Sequence, residues 1–200
     1  RFVAAFAVML YHYSTLFADL TFLPSAYLAV DLFFLLSGFV IAHAYDEKLL
    51  SGLSFNQFCW LRLVRLYPIY FITGLAGASY FVAKMALDPG DTNPLSATSV
   101  LLGFFFLPAF SDGHANLYPF NPPSWSLFFE LVANFAYAFL ITRLSNRVLY
   151  GLVAIGAASI AWSAWTFGSL DVGMTQASFM GGTARVLFSF TLGVLMWRLK

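Results

Sequence analysis

Six ionisable side chains sit in or beside apolar runs of this sequence, and each is costly to place in lipid unless it does something. Arg1 and His12 bracket the first apolar run. Eleven residues of helix make just over three turns, so both lie on one face, about 16 Å apart along the axis. Asp31 opens a second run, A-V-D-L-F-F-L-L-S-G-F, with Ser37 deeper in. Arg62 and Arg65 are spaced i, i+3 on one helical face just before Tyr67-Pro68. Forked guanidinium groups so placed suit the phosphates of a ligand or of a lipid headgroup. Glu130 follows six residues after Ser124 in P-P-S-W-S-L-F-F-E, with Ser126 one turn before it on the same face and Trp125 alongside. A carboxylate there needs a partner, for which His12 and the arginines are the candidates. Together these residues can supply a base, an acid and a phosphate clamp. No GxSxG elbow, P-loop, HExxH or dinucleotide fingerprint accompanies them. No metal site is expected, and Cys59 beside Trp60 reads as an inert apolar filler.

The elements that must hold these groups are membrane helices. The 200 residues are 60% hydrophobic and 10% charged, against about 25% charged in soluble domains. Lipid is therefore the solvent for much of the surface. The net charge of +1 gives no reason to expect a nucleic-acid partner. Apolar runs cover Phe2–Phe17, Tyr27–Tyr45, Tyr67–Leu87, Trp125–Ile141, Val148–Phe167 and Ala184–Trp197. Between the second and third lies an amphipathic stretch, Asp46–Leu66. The dense small residues of Gly151–Ala164 read as a packing face. The expected fold is all-α: a polytopic transmembrane bundle of six full spans, plus one run, Ser99–Phe110, too short to cross.

Basic residues decide how that short run lies. If the first helix starts in the cytoplasm and Ser99–Phe110 does not cross, Lys48, Arg62, Arg65, Arg143, Arg147, Arg198 and Lys200 all face the cytoplasm. If it crosses, the last four face outward. The segment is therefore expected to be re-entrant or to lie flat. The chain opens on Arg1 and closes on Lys200 directly after an apolar run, so residues 1–200 read as a single transmembrane domain cut at both ends.

Four stretches carry a family likeness. R-F-V-A-A-F-A-V-M-L-Y-H, V-D-L-F-F-L-L-S-G-F-V-I, F-C-W-L-R-L-V-R-L-Y-P-I-Y and P-S-W-S-L-F-F-E resemble, in order and spacing, the acyltransferase 3 family of membrane acyltransferases. The resemblance covers roughly residues 1–142. It implies an acyl-CoA-dependent O-acyltransferase of the bacterial inner membrane. Such an enzyme moves an acyl group, acetyl being the expected one, to a hydroxyl of a carbohydrate or glycolipid at the cell envelope. Acyl-CoA enters as co-substrate, and no cofactor is held permanently. Acyl transfer to an alcohol needs a base for the hydroxyl proton and a stabiliser for the oxyanion. His12 is the expected base, because imidazole titrates near neutrality, and Glu130 is expected to orient or charge-balance it. Arg1, Arg62, Arg65 and Tyr67 are expected to hold coenzyme A, with Asp31, Ser37, Trp125 and Ser126 supporting the site. A covalent acyl-enzyme on His12 or Ser37 is a further route. The rival reading is a proton-coupled transporter that uses the intramembrane His, Asp and Glu as a relay. Oligomeric state is not legible.

Overall fold

A computed structural model describes residues 2–17, 23–87, 97–110 and 115–200. Among the described residues there are seven α-helices: α1 (Phe2–Phe17), α2 (Ala29–Leu50), α3 (Phe55–Leu87), α4 (Ala97–Phe104), α5 (Ser124–Leu140), α6 (Asn146–Phe167) and α7 (Phe179–Arg198). Short 3₁₀ turns at Ala26–Leu28 and Ile141–Arg143 lead into α2 and extend α5. Among the described residues no strand forms; the sole extended pairing is an isolated bridge between Asn116 and Thr175. Five helices, α2, α3, α5, α6 and α7, are long and apolar enough to cross a membrane, and α1 is a shorter apolar helix. The chain is a polytopic helical bundle, as its composition requires.

One boundary differs from the sequence reading. The amphipathic stretch and the third apolar run are a single helix, α3, which continues through Pro68. Its buried positions, Phe58, Arg62, Tyr70 and Gly74, fall on multiples of four residues and form one stripe against the bundle. Hydropathy splits the segment because its first turns mix charge with apolar residues. The inward stripe runs through both halves.

Contacts fix the helix directions. Along α2 and α7, Asp31 meets Arg185, Gly38 meets Phe190, and Asp46 meets Arg198, so residue numbers rise together and the helices are parallel. Helix α5 runs the same way: Ser37 meets Glu130 and Asp46 meets Tyr137. Helix α3 runs opposite to α5, because Arg62 meets Glu130 while Phe55 packs on Phe135 and Phe139. Thus α3 ends at the end of the bundle from which α5 starts, and the segment between them makes no net crossing. Its helix, α4, has eight residues, about 12 Å of rise against a hydrocarbon core of about 30 Å. This agrees with the arrangement that the basic residues demand. Lys48, Arg143, Arg147, Arg198 and Lys200 all lie at one end, reached by the C-termini of α2, α5 and α7.

Beyond α4 the backbone is irregular and its polar groups find partners. Tyr70 donates to the Gly103 carbonyl, Tyr118 donates to the Phe106 carbonyl at 3.0 Å, and the Leu117 N–H reaches the Met174 carbonyl at 2.9 Å. Phe106 takes a left-handed φ of 62° and stacks on Tyr70, ring centroids 3.7 Å apart. Irregular backbone persists inside such a bundle only when it is satisfied in this way.

Helices α2 and α7 approach backbone to backbone. A Cβ on Gly38 would strike the Phe190 carbonyl, and one on Gly193 would strike the Leu35 carbonyl. Gly156 of α6 packs against the backbone of Phe188 in the same manner, which is the packing role read for the small residues of α6.

Candidate functional site

Glu130 is the residue on which three helices converge. Pro122 and Pro123 end the preceding loop, and α5 begins at Ser124, which carries the carboxyl almost two turns into the bundle. There its Oε1 accepts a hydrogen bond from Ser37 Oγ of α2 at 2.7 Å and another from Arg62 Nη2 of α3 at 3.4 Å. The Arg62 side chain is 4% exposed and that of Glu130 19%. Among the described residues Glu130 Oε2 accepts nothing.

Two cavities meet at this carboxylate. The first, about 110 Å³, is lined by Ser37, Val40, Ile41, Arg62, Arg65, Leu66 and Glu130. The second, about 190 Å³, is lined by Val30, Phe33, Phe34, Ser126, Leu127 and Glu130. Their α2 walls, 37–41 and 30–34, are successive, so the cavities are stacked along the bundle with Glu130 between them. The first lies towards the basic end and the second towards the opposite end.

The residues singled out in the sequence are placed as follows. Arg62 and Arg65 share the first cavity, but α3 turns Arg62 inward onto Glu130 and leaves Arg65 exposed. Tyr67 lies outside that cavity and packs among Tyr70, Phe71 and Phe106, bracing the segment after α4. Ser126 forms part of the second cavity's wall, and its Oγ donates to the Pro123 carbonyl at 2.9 Å. Asp31 is tied to Arg185. Trp125 lies beneath that guanidinium, 5.2 Å from its ring centroid, and edge-on to Phe34. Arg1 is outside the described residues.

The structure does not bring His12 to Glu130. His12 lies edge-on to Tyr11, and Tyr11 packs against Tyr27 just before α2 and donates to Asp171 Oδ2 at 2.8 Å. Tyr27 and Ser37 are ten residues apart, which is about 15 Å along the axis. His12 therefore belongs to the end of the bundle that holds the second cavity, and Glu130 to its middle. The carboxylate is charge-balanced by Arg62, one of the candidates the sequence offered.

Three polar clusters went unread in the sequence. Arg185 is fully buried. It donates to both Asp31 carboxylate oxygens at 2.9–3.3 Å, to the Val172 carbonyl at 3.1 Å and to the Tyr27 carbonyl at 2.8 Å. At the basic end Arg198 grips Asp46 through Nε at 2.9 Å and Nη2 at 2.8 Å, and Tyr137 donates to the same carboxylate. The third joins Tyr11 to Asp171. One signal was available: an intramembrane acid needs a base, and Asp31 and Asp46 on α2 have Arg185 and Arg198 at nearly the same spacing on α7.

A bundle of membrane-crossing helices with buried ion pairs and small cavities along one central helix defines an integral membrane protein with an internal polar site. The chain belongs to the acyltransferase 3 family: the acyltransferase domain that defines it matches residues 1–200. The chain is also 37% identical over 158 residues to "Protein 2 in picA locus" of Rhizobium radiobacter, which covers 72% of this chain and 81% of that relative. No solved structure matches. The protein is thus a membrane acyltransferase.

Proposed function

We propose that this acyltransferase is an acyl-CoA-dependent O-acyltransferase of the bacterial inner membrane. It passes an acyl group, acetyl first among candidates, from cytoplasmic acyl-CoA to a hydroxyl of a carbohydrate or glycolipid at the cell envelope. The observation that carries this reading is the pair of stacked cavities joined at Glu130, one bounded by Arg65 towards the basic end and the other leading towards the end that holds His12. From the level of Ile41, which lines the first cavity with Arg65, to that of Tyr27, which packs on the Tyr11 neighbour of His12, is about 20 Å along α2 and the turn before it. An extended pantetheine arm is about 15–20 Å long. Phosphates held at Arg65 therefore put the thioester near His12.

His12 then accepts the proton of the acceptor hydroxyl as its oxygen attacks the thioester carbonyl. The tetrahedral oxyanion collapses, the C–S bond breaks, and the coenzyme thiolate takes the proton back from His12. Glu130 acts as a positioning residue: it holds Arg62 and Ser37 along the route of the arm. A second reading is a covalent one, favoured by the 2.7 Å hydrogen bond from Ser37 Oγ to Glu130. In it Glu130 takes the Ser37 hydroxyl proton as Oγ attacks the thioester, the C–S bond breaks and the departing coenzyme thiolate takes that proton; the acceptor hydroxyl then attacks the Ser37 ester, its proton passing through Glu130 to the released Ser37 Oγ.

The test uses full-length protein in lipid nanodiscs with acetyl-CoA and envelope glycans isolated from the host. His12→Ala is expected to abolish transfer while leaving protein levels intact, and Arg65→Ala to raise KM for acetyl-CoA. Full activity in His12→Ala removes the base role, and an unchanged KM in Arg65→Ala removes the phosphate role. Intact mass after incubation with acetyl-CoA alone separates the routes, since only the covalent one adds an acetyl group to Ser37.

A further inference from the structure

A third and larger cavity, about 410 Å³, lies apart from the polar site, between α5 and the α6–α7 pair. Its walls run from Phe128 and Phe179 at one end to Leu144 and Leu149 at the other and are apolar apart from Thr183 and Thr191, whose hydroxyls donate to the Phe179 and Leu187 carbonyls. Ala133 and Ala136 on α5 make its floor shallow and continuous. From Phe128 to Leu144 the chain advances about 24 Å. An extended acyl chain of 16–18 carbons is about 20 Å long, at the ~1.2 Å per bond that extended-chain geometry implies. A groove of this length and lining matches one lipid tail.

The end of the groove supplies the headgroup chemistry. Leu140, Leu144 and Leu149 close it at the basic end, and Arg143 and Arg147 lie in the same turn. Both arginines are exposed, and among the described residues neither side chain has a hydrogen-bond or ion-pair partner. This sets them apart from Arg62, Arg185 and Arg198, which are committed to carboxylates. Two uncommitted arginines in the turn that follows the Leu140–Leu144 end of this tail-sized apolar groove complement the net negative charge of an anionic headgroup attached to an acyl chain.

We propose that the α5/α6/α7 groove is a binding site for one anionic phospholipid of the inner leaflet, its tail along Ala133 and Ala136 and its phosphate on Arg143 and Arg147. The lipid fills the gap beside α5, the helix that carries Glu130, and so completes the packing of that helix against α7. This site is independent of the acyl-transfer reading and of the residues that serve it.

The experiment is native mass spectrometry of the full-length protein in detergent, titrated with dioleoylphosphatidylglycerol or dioleoylphosphatidylcholine. One phosphatidylglycerol should be retained in preference to phosphatidylcholine, whose choline cancels the phosphate charge, by about fivefold for each arginine that meets the net negative headgroup. Arg143→Gln with Arg147→Gln should erase the preference, whereas Lys48→Gln, an exposed cation at the same end, should leave it. Ala136→Trp, which fills the groove from an exposed position, should lower the retained lipid by one. Equal retention of the two lipids by the wild-type protein, or a preference that survives the double arginine substitution, overturns the headgroup assignment. Unchanged retention in Ala136→Trp overturns the placement of the tail.

Discussion

Glu130→Gln separates what the central carboxylate does for folding from what it does for transfer. The substitution keeps the shape and an acceptor for Ser37, but it removes the negative charge that Arg62 Nη2 meets at 3.4 Å; the Arg62 side chain is 4% exposed. Removing one member of a buried pair costs about 3–5 kcal/mol when the other is left charged and unsolvated. Two observations lower that figure: the N–O distance is 3.4 Å, and Glu130 is 19% exposed, so water screens part of the interaction. The expected loss is therefore about 2 kcal/mol, the range of one charge-assisted hydrogen bond. Arg62→Met combined with Glu130→Gln removes both charges and is expected to recover more than half of it, since an apolar replacement of a buried pair is close to neutral. Reversible unfolding in mixed dodecylmaltoside–SDS micelles measures these differences, and acetyl-CoA turnover in nanodiscs measures the second role. Activity should stay low in the double variant despite its restored stability. The reasoning fails if Glu130→Gln lies within about 0.5 kcal/mol of wild type, or if the double variant is less stable than Glu130→Gln alone.

Two further outcomes follow from the packing of α7. Arg185→Met strands Asp31 and leaves the Tyr27 and Val172 carbonyls without their donor. It should destabilise the protein by about 3 kcal/mol in the same micelle assay, and Asp31→Asn in that background should recover part of the loss. Gly193→Val forces a side chain into the Leu35 carbonyl. It should cost about 2–3 kcal/mol as an overpacking substitution, visible as a lower midpoint of heat-induced aggregation, while Gly151→Ala on an open face of α6 should not.

The sequence displayed the membrane bundle because charge depletion and apolar run length are local properties. It displayed the non-crossing segment through Ser99–Phe110 because only that arrangement brings seven of the ten basic residues to one side, and the helix directions require the same arrangement. Ser37, Arg62 and Glu130 were legible as separate costly residues; their convergence was not. Which base balances which acid depends on the rotation and level of helices distant in sequence. For that reason the sequence leaves Glu130 with His12 and the arginines as candidate partners, and the fold pairs it with Arg62. Asp31 was read as a site residue with no stated partner, and the fold gives it to Arg185, 154 positions later. Tyr67, which the resemblance places among the acyl-CoA-binding residues, packs against Phe106 in the fold.

The face of α5 that meets α2 supports one more inference. Glu130, Asn134 and Tyr137 recur at i, i+4 and i+7, a polar stripe that is half-buried at Glu130 and buried at Asn134 and Tyr137. Its ends are satisfied, Glu130 by Ser37 and Arg62 and Tyr137 by Asp46. Its middle is not: Asn134 is fully buried, and neither atom of its carboxamide has a hydrogen-bond partner among the described residues. A buried amide so placed costs about 1–3 kcal/mol in unmet hydrogen bonds. Leucine has a similar volume and a higher helix propensity. Asn134→Leu is therefore expected to raise the unfolding free energy in mixed micelles by about 1 kcal/mol. A fall of the same size would mean that the carboxamide is satisfied by something bound between the Glu130 and Asp46 clusters, and the stripe would then be a continuous polar track rather than two separate ties.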